Sequence, residues 1–229
     1  MGGVNVKNTI VERILQILAP HPCCGCGRIG GLLCDDCKND IIHEPYCGCI
    51  VCGRSQSLGI CYKHNSPIQR AFVVSERTET IRSLIERLKF HNTKGAAEVL
   101  ADCLHTSLPL LPHETLIVSI PTVRSHIRQR GYDHAALIAR HLARKRGLQY
   151  ASPLRRETKT TQHIVNRKTR QSQAQHAFSL ERGVSLTDRT VVLVDDIITT
   201  ASTVMAAADI LRASGATVWV AACAYQPLD

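Results

Sequence analysis

The sequence has 229 residues, of which 44% are hydrophobic and 21% are charged, with a net charge of +9 and 11 cysteines. The hydrophobic content excludes a wholly disordered chain, and the length allows one or two domains. No apolar run approaches the ~20 residues that cross a bilayer, and segment 10–19 is too short and too charged for a signal-peptide core. We therefore expect a cytoplasmic protein, and the positive charge is a weak indication of an anionic partner.

Two domains are expected, with the boundary at residue 66. Residues 1–66 begin with a short amphipathic helix over 8–18 and continue as a segment rich in Cys and Gly. Residues 67–229 alternate apolar, β-branched runs with amphipathic helical stretches, the pattern of a parallel α/β sheet. We predict a small N-terminal Cys-rich domain followed by an α/β domain in which helices flank the sheet.

Nine of the cysteines lie between residues 23 and 61, and most of them form pairs of one spacing. The four pairs are Cys23 with Cys26, Cys34 with Cys37, Cys49 with Cys52, and Cys61 with His64. A two-residue gap lets both side chains of a knuckle reach one tetrahedral ion, and a dense cluster without a secretory signal favours metal over disulfides. Eight ligands suit two structural zinc ions of a double zinc ribbon-like domain, or one ion with spare thiols. Cys24 and Cys47 lie outside the pairs, and His64 is either a ligand or an exposed histidine.

Helices and strands alternate in the second domain. Strands are predicted over 71–75, 116–120, 190–194 and 217–225, and helices over 79–89, 95–106, 133–146 and 203–214. Apolar residues at i, i+3, i+4 and i+7 define the first of these helices, and Asp133 is the expected N-cap of the third. Residues 191–194 are all apolar, as in a strand buried within a sheet, and we expect a mobile loop over 155–176 with room for a helix from about residue 167.

An acidic pair and a hydroxyl-rich loop follow the buried strand. Asp195 and Asp196 come first, then two isoleucines, and then the loop Thr199, Thr200, Ala201, Ser202 and Thr203. Hydroxyl and backbone N–H groups at a helix N-terminus hold phosphate, and carboxylates at the end of a parallel strand are placed to hold ribose hydroxyls. A ligand that carries both phosphate and sugar fits this pattern best.

The positive charge is concentrated in residues 122–170, which contain thirteen Lys and Arg against two acidic residues. Solvated helix faces account for several of these charges, such as Arg140 and Arg144. The stretch 120–134 joins a strand end and a proline to Arg124, Arg128, Arg130 and Gly131. Because guanidinium groups match phosphate oxygens and glycine allows close backbone approach, this stretch is a candidate pyrophosphate-binding loop.

Residues 191–203 resemble the phosphoribosyl-pyrophosphate (PRPP) motif of type I phosphoribosyltransferases. The resemblance implies that Asp195 and Asp196 hold the ribose hydroxyls of PRPP, partly through Mg²⁺, and that residues 199–203 surround the 5′-phosphate. Ala201 stands where the family usually has Gly. An alanine is strained at this position if its φ is positive. Thr199 replaces the Asp of purine-salvage members, and the chain lacks an N-terminal catalytic cysteine, so purine salvage and glutamine amidotransfer are disfavoured.

Nearly the whole chain resembles the ComF family, in which a cysteine zinc finger is fused to a type I phosphoribosyltransferase-like domain. The resemblance rests on the cysteine pairs, LKF at 88–90, the RGY stretch at 130–132, Gln162 with Arg167, and the acidic loop. The usual Asn-Gln after RGY is Asp133-His134 here, and Gln173 replaces a further Asn of the pattern. The family implies handling of single-stranded DNA during natural transformation or DNA utilization, with the DNA-uptake machinery as a partner. The candidate DNA-binding residues are Tyr132, Arg155, Arg156, Lys159, Gln162, Arg167 and Arg170.

Three functions remain open at this point. The first is a ComF-type protein that binds single-stranded DNA and keeps a PRPP-type pocket. The second is an active phosphoribosyltransferase whose acceptor the sequence does not name, with zinc serving only the fold. The third is a non-catalytic regulator that senses a phosphoribosyl ligand. Tyr132 and Phe178 are the aromatic residues best placed to stack on bases, although either one is equally suited to core packing.

Overall fold

A computed structural model describes residues 21–157 and 177–226 of the chain. The predicted helix over 8–18 lies outside these residues, as do Lys159, Gln162, Arg167, Arg170 and Gln173. Among the described residues, no helix has the length and the apolar character that spanning a bilayer requires.

Five parallel strands form the main sheet. They are β1 (Ile68–Glu76), β2 (Leu116–Ser119), β3 (Gln149–Ala151), β6 (Thr190–Ile198) and β7 (Thr217–Tyr225), in the order β1-β7-β6-β2-β3. Two short strands, β4 (Leu154–Arg156) and β5 (Phe178–Leu180), form a separate antiparallel pair. The sequence predicts β1, β2, β6 and β7, but it does not predict the three-residue strands, which are too short to show an alternating pattern.

Six described helices flank the sheet or precede it. They are α1 (Asp35–His43), α2 (Glu79–Phe90), α3 (Gly95–Ser107), α4 (Arg124–Arg130), α5 (His134–Arg146) and α6 (Ser202–Ala213). The helices predicted over 79–89, 95–106, 133–146 and 203–214 are confirmed to within one residue at each end. The side chain of Asp133 accepts a hydrogen bond from the N–H of Ala136 at 3.1 Å, so it is the N-cap that the sequence predicts.

The central strand β6 separates two layers of apolar packing. Val192 and Val194 face the layer formed with α2, α3 and α5, whereas Val191 and Leu193 face the layer formed with α6. All four side chains are fully buried, as expected for an interior parallel strand with helices on both faces. The predicted parallel sheet with flanking helices and a preceding Cys-rich segment is confirmed.

The Cys-rich segment packs directly on the sheet. Leu32 joins the apolar layer of α2, α3 and α5, and Ile50 joins the layer of α6. The N–H of Ala71 in β1 donates to the carbonyl of Leu58 at 2.9 Å, which extends the hydrogen bonding of this edge strand into the segment. Gly59 has a φ of +71°, and a Cβ at that position would lie 2.0 Å from the carbonyl oxygen of Ala71, so only glycine fits this contact.

Candidate functional site

The acidic pair lies inside β6 rather than after it. The sequence predicts that this strand ends at residue 194, but it continues to Ile198 because Asp195, Ile197 and Ile198 pair with β7. Adjacent strand residues point to opposite faces of a sheet, and the two carboxylates accordingly have different surroundings. Asp195 is half-buried, whereas Asp196 is only 3% exposed.

A lysine and a histidine side chain lie beside Asp196. Lys89, in the last turn of α2, forms an ion pair with one of its carboxylate oxygens. The Nε2 atom of His134, the first residue of α5, lies 3.5 Å from the other. The His134 Nδ1 atom is in turn 3.1 Å from Nη1 of Arg130. Asp196 therefore joins the end of α2 and the start of α5 to the central strand.

This arrangement gives the two carboxyl groups opposite pKa shifts. Burial, reinforced by the neighbouring Asp196 charge, raises the pKa of Asp195 well above its ordinary value. Burial also disfavours the charged form of Asp196, but the hydrogen bond from His134 and the charge of Lys89 outweigh it and lower the pKa. Asp196 is thus held in its charged form by its partners, while Asp195 is a carboxyl group that is available to bind a cation or a hydroxyl group.

The hydroxyl-rich loop leads from β6 into α6. Thr200 and Ser202 are exposed, and their hydroxyl oxygens lie 2.8 Å apart. Ala201 has a φ of +56° and is 4% exposed, so the left-handed conformation that favours glycine is present at this position. The carbonyl of Ala201 accepts a hydrogen bond from Met205 N–H at 2.9 Å, as in the first turn of a helix. Residues 199–203 therefore form a strand–loop–helix junction, a type of local structure that can bind anions.

The left-handed conformation of Ala201 leads to a stability prediction. Ala201→Gly should relieve a backbone strain of ~1–2 kcal/mol. The lost burial of a methyl group and the greater flexibility of the unfolded chain offset this gain, so the free energy of unfolding should change by less than about 1 kcal/mol. Ala201→Val should destabilise the protein by about 2–3 kcal/mol, because a β-branched residue is strained at positive φ and the site is closed. Urea unfolding compares the two variants, and equal midpoints would contradict the prediction.

The predicted pyrophosphate-binding loop is a short helix. Arg124 and Arg128 are exposed on α4, and Gly131 ends that helix in the left-handed conformation with a φ of +79°. The guanidinium carbon of Arg130 lies 5.4 Å from the centre of the Phe90 ring, in addition to its contact with His134. The structure therefore brings Arg130 close to the acidic pair, whereas Arg124 and Arg128 face solvent.

Three of the candidate DNA-binding residues, and also Phe178, have partners within the protein. Tyr132 is 9% exposed, and its hydroxyl donates to the carbonyl of Leu88, so its ring packs in the core. Phe178 is also buried, under the guanidinium group of Arg156, which donates to Pro121 O at 3.3 Å. Arg155 pairs with Glu181 at 3.0 Å. The burial of Tyr132 and Phe178 leaves neither ring free to stack on a base in this structure.

Lys89 and Phe90 lie at the end of α2, next to the acidic pair, although neither residue is predicted from the sequence to have a role in the site. Phe90 is 69% exposed at the end of α2, and a cavity of about 300 Å³ lies beside it. The periodicity of α2 indicates that Phe90 is exposed, because the apolar stripe of the helix ends at Leu88 and Phe90 lies off that stripe. An aromatic residue outside the buried stripe of a helix is exposed unless another element covers it.

The Cys-rich segment forms two four-residue clusters, each suited to one metal ion. The first contains Cys23, Cys26, Cys34 and Cys37, and the second contains Cys49, Cys52, Cys61 and His64. Within each cluster, the ligand atoms all lie within 4.8 Å of one another. Of the two arrangements that the sequence left open, the structure thus favours two complete sites, with Cys24 and Cys47 outside both.

The geometry of the clusters fits a tetrahedral ion. Four thiolates at ~2.3 Å from such an ion are roughly 3.8 Å apart. The Sγ atoms of Cys23 and Cys34, and those of Cys52 and Cys61, are each 3.7 Å apart. The Nε2 atom of His64 is buried and has no hydrogen-bond partner among the described residues, so it is available to bind a metal ion. Burial raises the pKa of Cys23, but hydrogen bonds from neighbouring backbone N–H groups outweigh it and lower the pKa to about 6, which favours the thiolate.

A larger cavity, of about 670 Å³, lies between the two clusters and the end of β1. Its lining includes the carboxylates of Asp40, Glu44 and Glu76, with neither Lys nor Arg among the lining residues. Because acidic and not basic side chains line this cavity, it does not suit a phosphate, and the loop 199–203 remains the candidate phosphate site.

Several known proteins are similar to this chain. Residues 127–228 match the phosphoribosyl transferase domain family. Competence protein F of Haemophilus influenzae is 31% identical over 199 residues, which cover 80% of this chain and 85% of that protein. DNA utilization protein YhgH of Escherichia coli K12 is 30% identical over 204 residues, which cover 85% of this chain and 84% of that protein. Among solved structures, glutamine PRPP amidotransferase from B. subtilis is 21% identical with a TM-score of 0.42, covering 56% of this chain and 26% of that one. The chain belongs to the ComF family of competence and DNA-utilization proteins.

Proposed function

We propose that the protein handles single-stranded DNA in the cytoplasm, during natural transformation or DNA utilization, and that it binds a phosphoribosyl ligand such as PRPP at the end of β6. One observation carries the proposal: a chain of the ComF family keeps the acidic pair and the hydroxyl-rich loop together at a helix N-terminus. The names of its relatives support the DNA-related role, and the proposal includes the DNA-uptake machinery as a partner.

The pocket has a separate group for each part of the ligand. The N-terminus of α6 and the exposed hydroxyls of Thr200 and Ser202 are suited to a 5′-phosphate. Asp195, the less buried acid, is placed to accept hydrogen bonds from ribose hydroxyls, and Arg130 contributes positive charge for a pyrophosphate. Bound Mg²⁺ would neutralise charge between the diphosphate and the carboxylates. Asp196 fixes the position of Lys89 and His134 around the pocket.

We also propose that the two clusters bind structural Zn²⁺ and that the chain consists of two domains, residues 1–66 and residues 67–229. Each cluster offers four side chains, so an ion bound there has no open position for a reaction. The donor set of seven thiols and one imidazole is typical of zinc. The ions would hold the Cys-rich segment against the edge strand β1.

An active phosphoribosyltransferase is the second candidate. The observation that favours it is the acidic pair itself, because a pocket that binds only DNA has no need of two carboxylates beside its anion site. Catalysis would then rest on electrostatic stabilisation of an oxocarbenium-like ribose and of the departing pyrophosphate. The acceptor has to be found experimentally.

Two titrations of the metal-loaded protein test the proposal. Calorimetry with PRPP should show saturable binding that requires Mg²⁺. Binding of a labelled oligo-dT should weaken steeply between about 50 and 200 mM salt, whereas PRPP binding should respond mainly to Mg²⁺. Absence of PRPP binding at millimolar concentration would exclude a working pocket, and absence of oligo-dT binding at low salt would exclude the DNA role.

A further inference from the structure

We propose that the cavity beside Phe90 is a nucleotide subsite, in which a base of single-stranded DNA stacks on the Phe90 ring while Lys89 and Arg130 hold its phosphate. The cavity is lined by Lys89, Phe90, Asn92, Gln129, Arg130 and Tyr132, and we call it the Phe90 cavity. The inference rests on the proposed binding of single-stranded DNA and assigns that binding to particular residues.

The Phe90 ring supplies a surface for stacking. A single exposed apolar residue needs no explanation by itself, but Phe90 is 69% exposed at the rim of a cavity of about 300 Å³. This volume is at the lower end of the range of ligand pockets, ~300–1,000 Å³, and suits one nucleotide rather than a protein segment. The Arg130 guanidinium carbon, 5.4 Å from the ring centre, adds a cation beside the ring.

The charge of the Phe90 cavity suits a phosphate. Lys89 and Arg130 both line it, and no acidic residue is among its lining residues. Lys94 adds a third cation nearby, because its Nζ atom lies 5.4 Å from the ring centre of Tyr132, which forms part of the wall. Cations beside an aromatic ring are the combination with which proteins bind single strands without sequence preference.

The polar lining of the cavity suits the edge of a base. Asn92 and Gln129 are exposed, and each side-chain amide offers both donors and an acceptor. Asn92 has a positive φ of 52°, so the backbone turns sharply just after α2 and carries this amide to the cavity. The amides can therefore bond to any base that stacks on Phe90, without strong selection among bases.

Lys89 connects this cavity to the acidic pair. Its ammonium group pairs with Asp196 while its side chain lines the cavity, so a nucleotide held there lies next to the proposed PRPP pocket. Arg130 is assigned to both ligands, so PRPP and DNA phosphate would compete for it, and DNA phosphate would also compete with Asp196 for Lys89.

Replacing Phe90 tests the subsite. Fluorescence anisotropy with a short labelled oligo-dT should show affinity lower by about 5- to 150-fold for Phe90→Ala, the range expected when one stacking contact is lost, with Phe90→Tyr close to wild type. Arg130→Gln should weaken binding and reduce the slope of log affinity against log salt by about 0.7–1, the effect of one phosphate contact. Phe90→Ala should leave that slope unchanged.

Tyr62→Ala is the matched control, because Tyr62 is an aromatic residue that is 88% exposed in the Cys-rich segment. It should bind oligo-dT like wild type, and circular dichroism should show that every variant is folded. If wild type binds oligo-dT and Phe90→Ala binds equally well, the subsite is wrong while the proposed function stands. If Tyr62→Ala lost affinity for oligo-dT and Phe90→Ala did not, the stacking contact would lie in the Cys-rich segment, and the inference would be overturned. If wild type itself does not bind, both the subsite and the proposed DNA role fail.

Discussion

Replacing Cys49 by Ser is expected to lower the zinc content of the purified protein from two ions per chain to one and to unfold the second cluster. Cys49 is fully buried and is one of the four residues of that cluster. Binding of structural zinc contributes folding free energy on the order of 10–16 kcal/mol in zinc-finger peptides, and loss of a thiolate ligand removes much of it. Metal analysis of the purified variant measures the expected loss.

The effect should extend to the sheet. Ile50, next to Cys49 and fully buried, packs in the apolar layer of α6, and the N–H of Ala71 in β1 donates to Leu58 in the same segment. If the cluster unfolds, Ile50 becomes exposed and the edge strand loses this partner. We therefore expect chelation of wild type, like Cys49→Ser, to lower the thermal unfolding midpoint by several degrees.

Cys47→Ser is the matched control, since Cys47 is two residues from Cys49, exposed, and outside both clusters. It should keep two ions and the wild-type midpoint. His64→Ala should weaken zinc binding at the second cluster, and His64→Cys should restore it, because zinc accepts either ligand. Loss of one ion in Cys47→Ser, or an unchanged midpoint after complete chelation, would contradict a structural role for the second cluster.

The elements predicted correctly from sequence are those whose signal is local. The apolar run at 191–194 predicts an interior strand, and the cysteine spacing predicts pairs that converge, because both depend on residues close together in the chain. The short helix α4 was missed because its seven residues show no apolar stripe, and none of them is buried. The extension of β6 through Asp195 was missed because the alanines of β7 that pair with it lie more than 20 residues away.

The contacts that shape the candidate site are non-local. Lys89 and Asp196 are more than 100 residues apart, and the local sequence around either residue does not predict their ion pair. The sequence therefore treats Asp195 and Asp196 as equivalent, whereas the structure separates an anchored anion from a less buried acid. Tyr132 illustrates the same limit, because its burial depends on Leu88 of α2 rather than on its own flanking residues.

Asp195→Asn and Asp196→Asn are expected to have different effects, although the two residues are neighbours. Asp195→Asn should abolish Mg-PRPP binding. It should leave the protein as stable as wild type or slightly more stable, because it removes a carboxyl group whose charged form is disfavoured by burial and by the charge of Asp196. Asp196→Asn should destabilise the protein by about 3–5 kcal/mol, since it leaves Lys89 without its anion and weakens the contact with His134. Calorimetry measures ligand binding, and urea unfolding measures stability.

The pH dependence of stability separates the same two roles. The pKa of Asp195 is raised in the folded protein, so its contribution to stability decreases as the pH rises above its unfolded-state pKa of ~3.9 and levels off above its folded pKa. Asp195→Asn removes that decrease, and its stability relative to wild type should grow with pH. The pKa of Asp196 is lowered, so its contribution is present above ~3.9 and is lost as the pH falls towards its folded pKa. The destabilisation by Asp196→Asn should therefore be full at neutral pH and shrink in acid.

Lys89→Met completes the comparison by removing the cation from the ion pair. It leaves the buried Asp196 carboxylate without its lysine partner, so we expect a loss of stability similar to that of Asp196→Asn. In the double variant Lys89→Met/Asp196→Asn neither charge remains uncompensated, and the loss should be smaller than the sum of the two single losses. Additive losses would show that Lys89 and Asp196 stabilise the fold independently. The anchoring role of Asp196 would then be wrong.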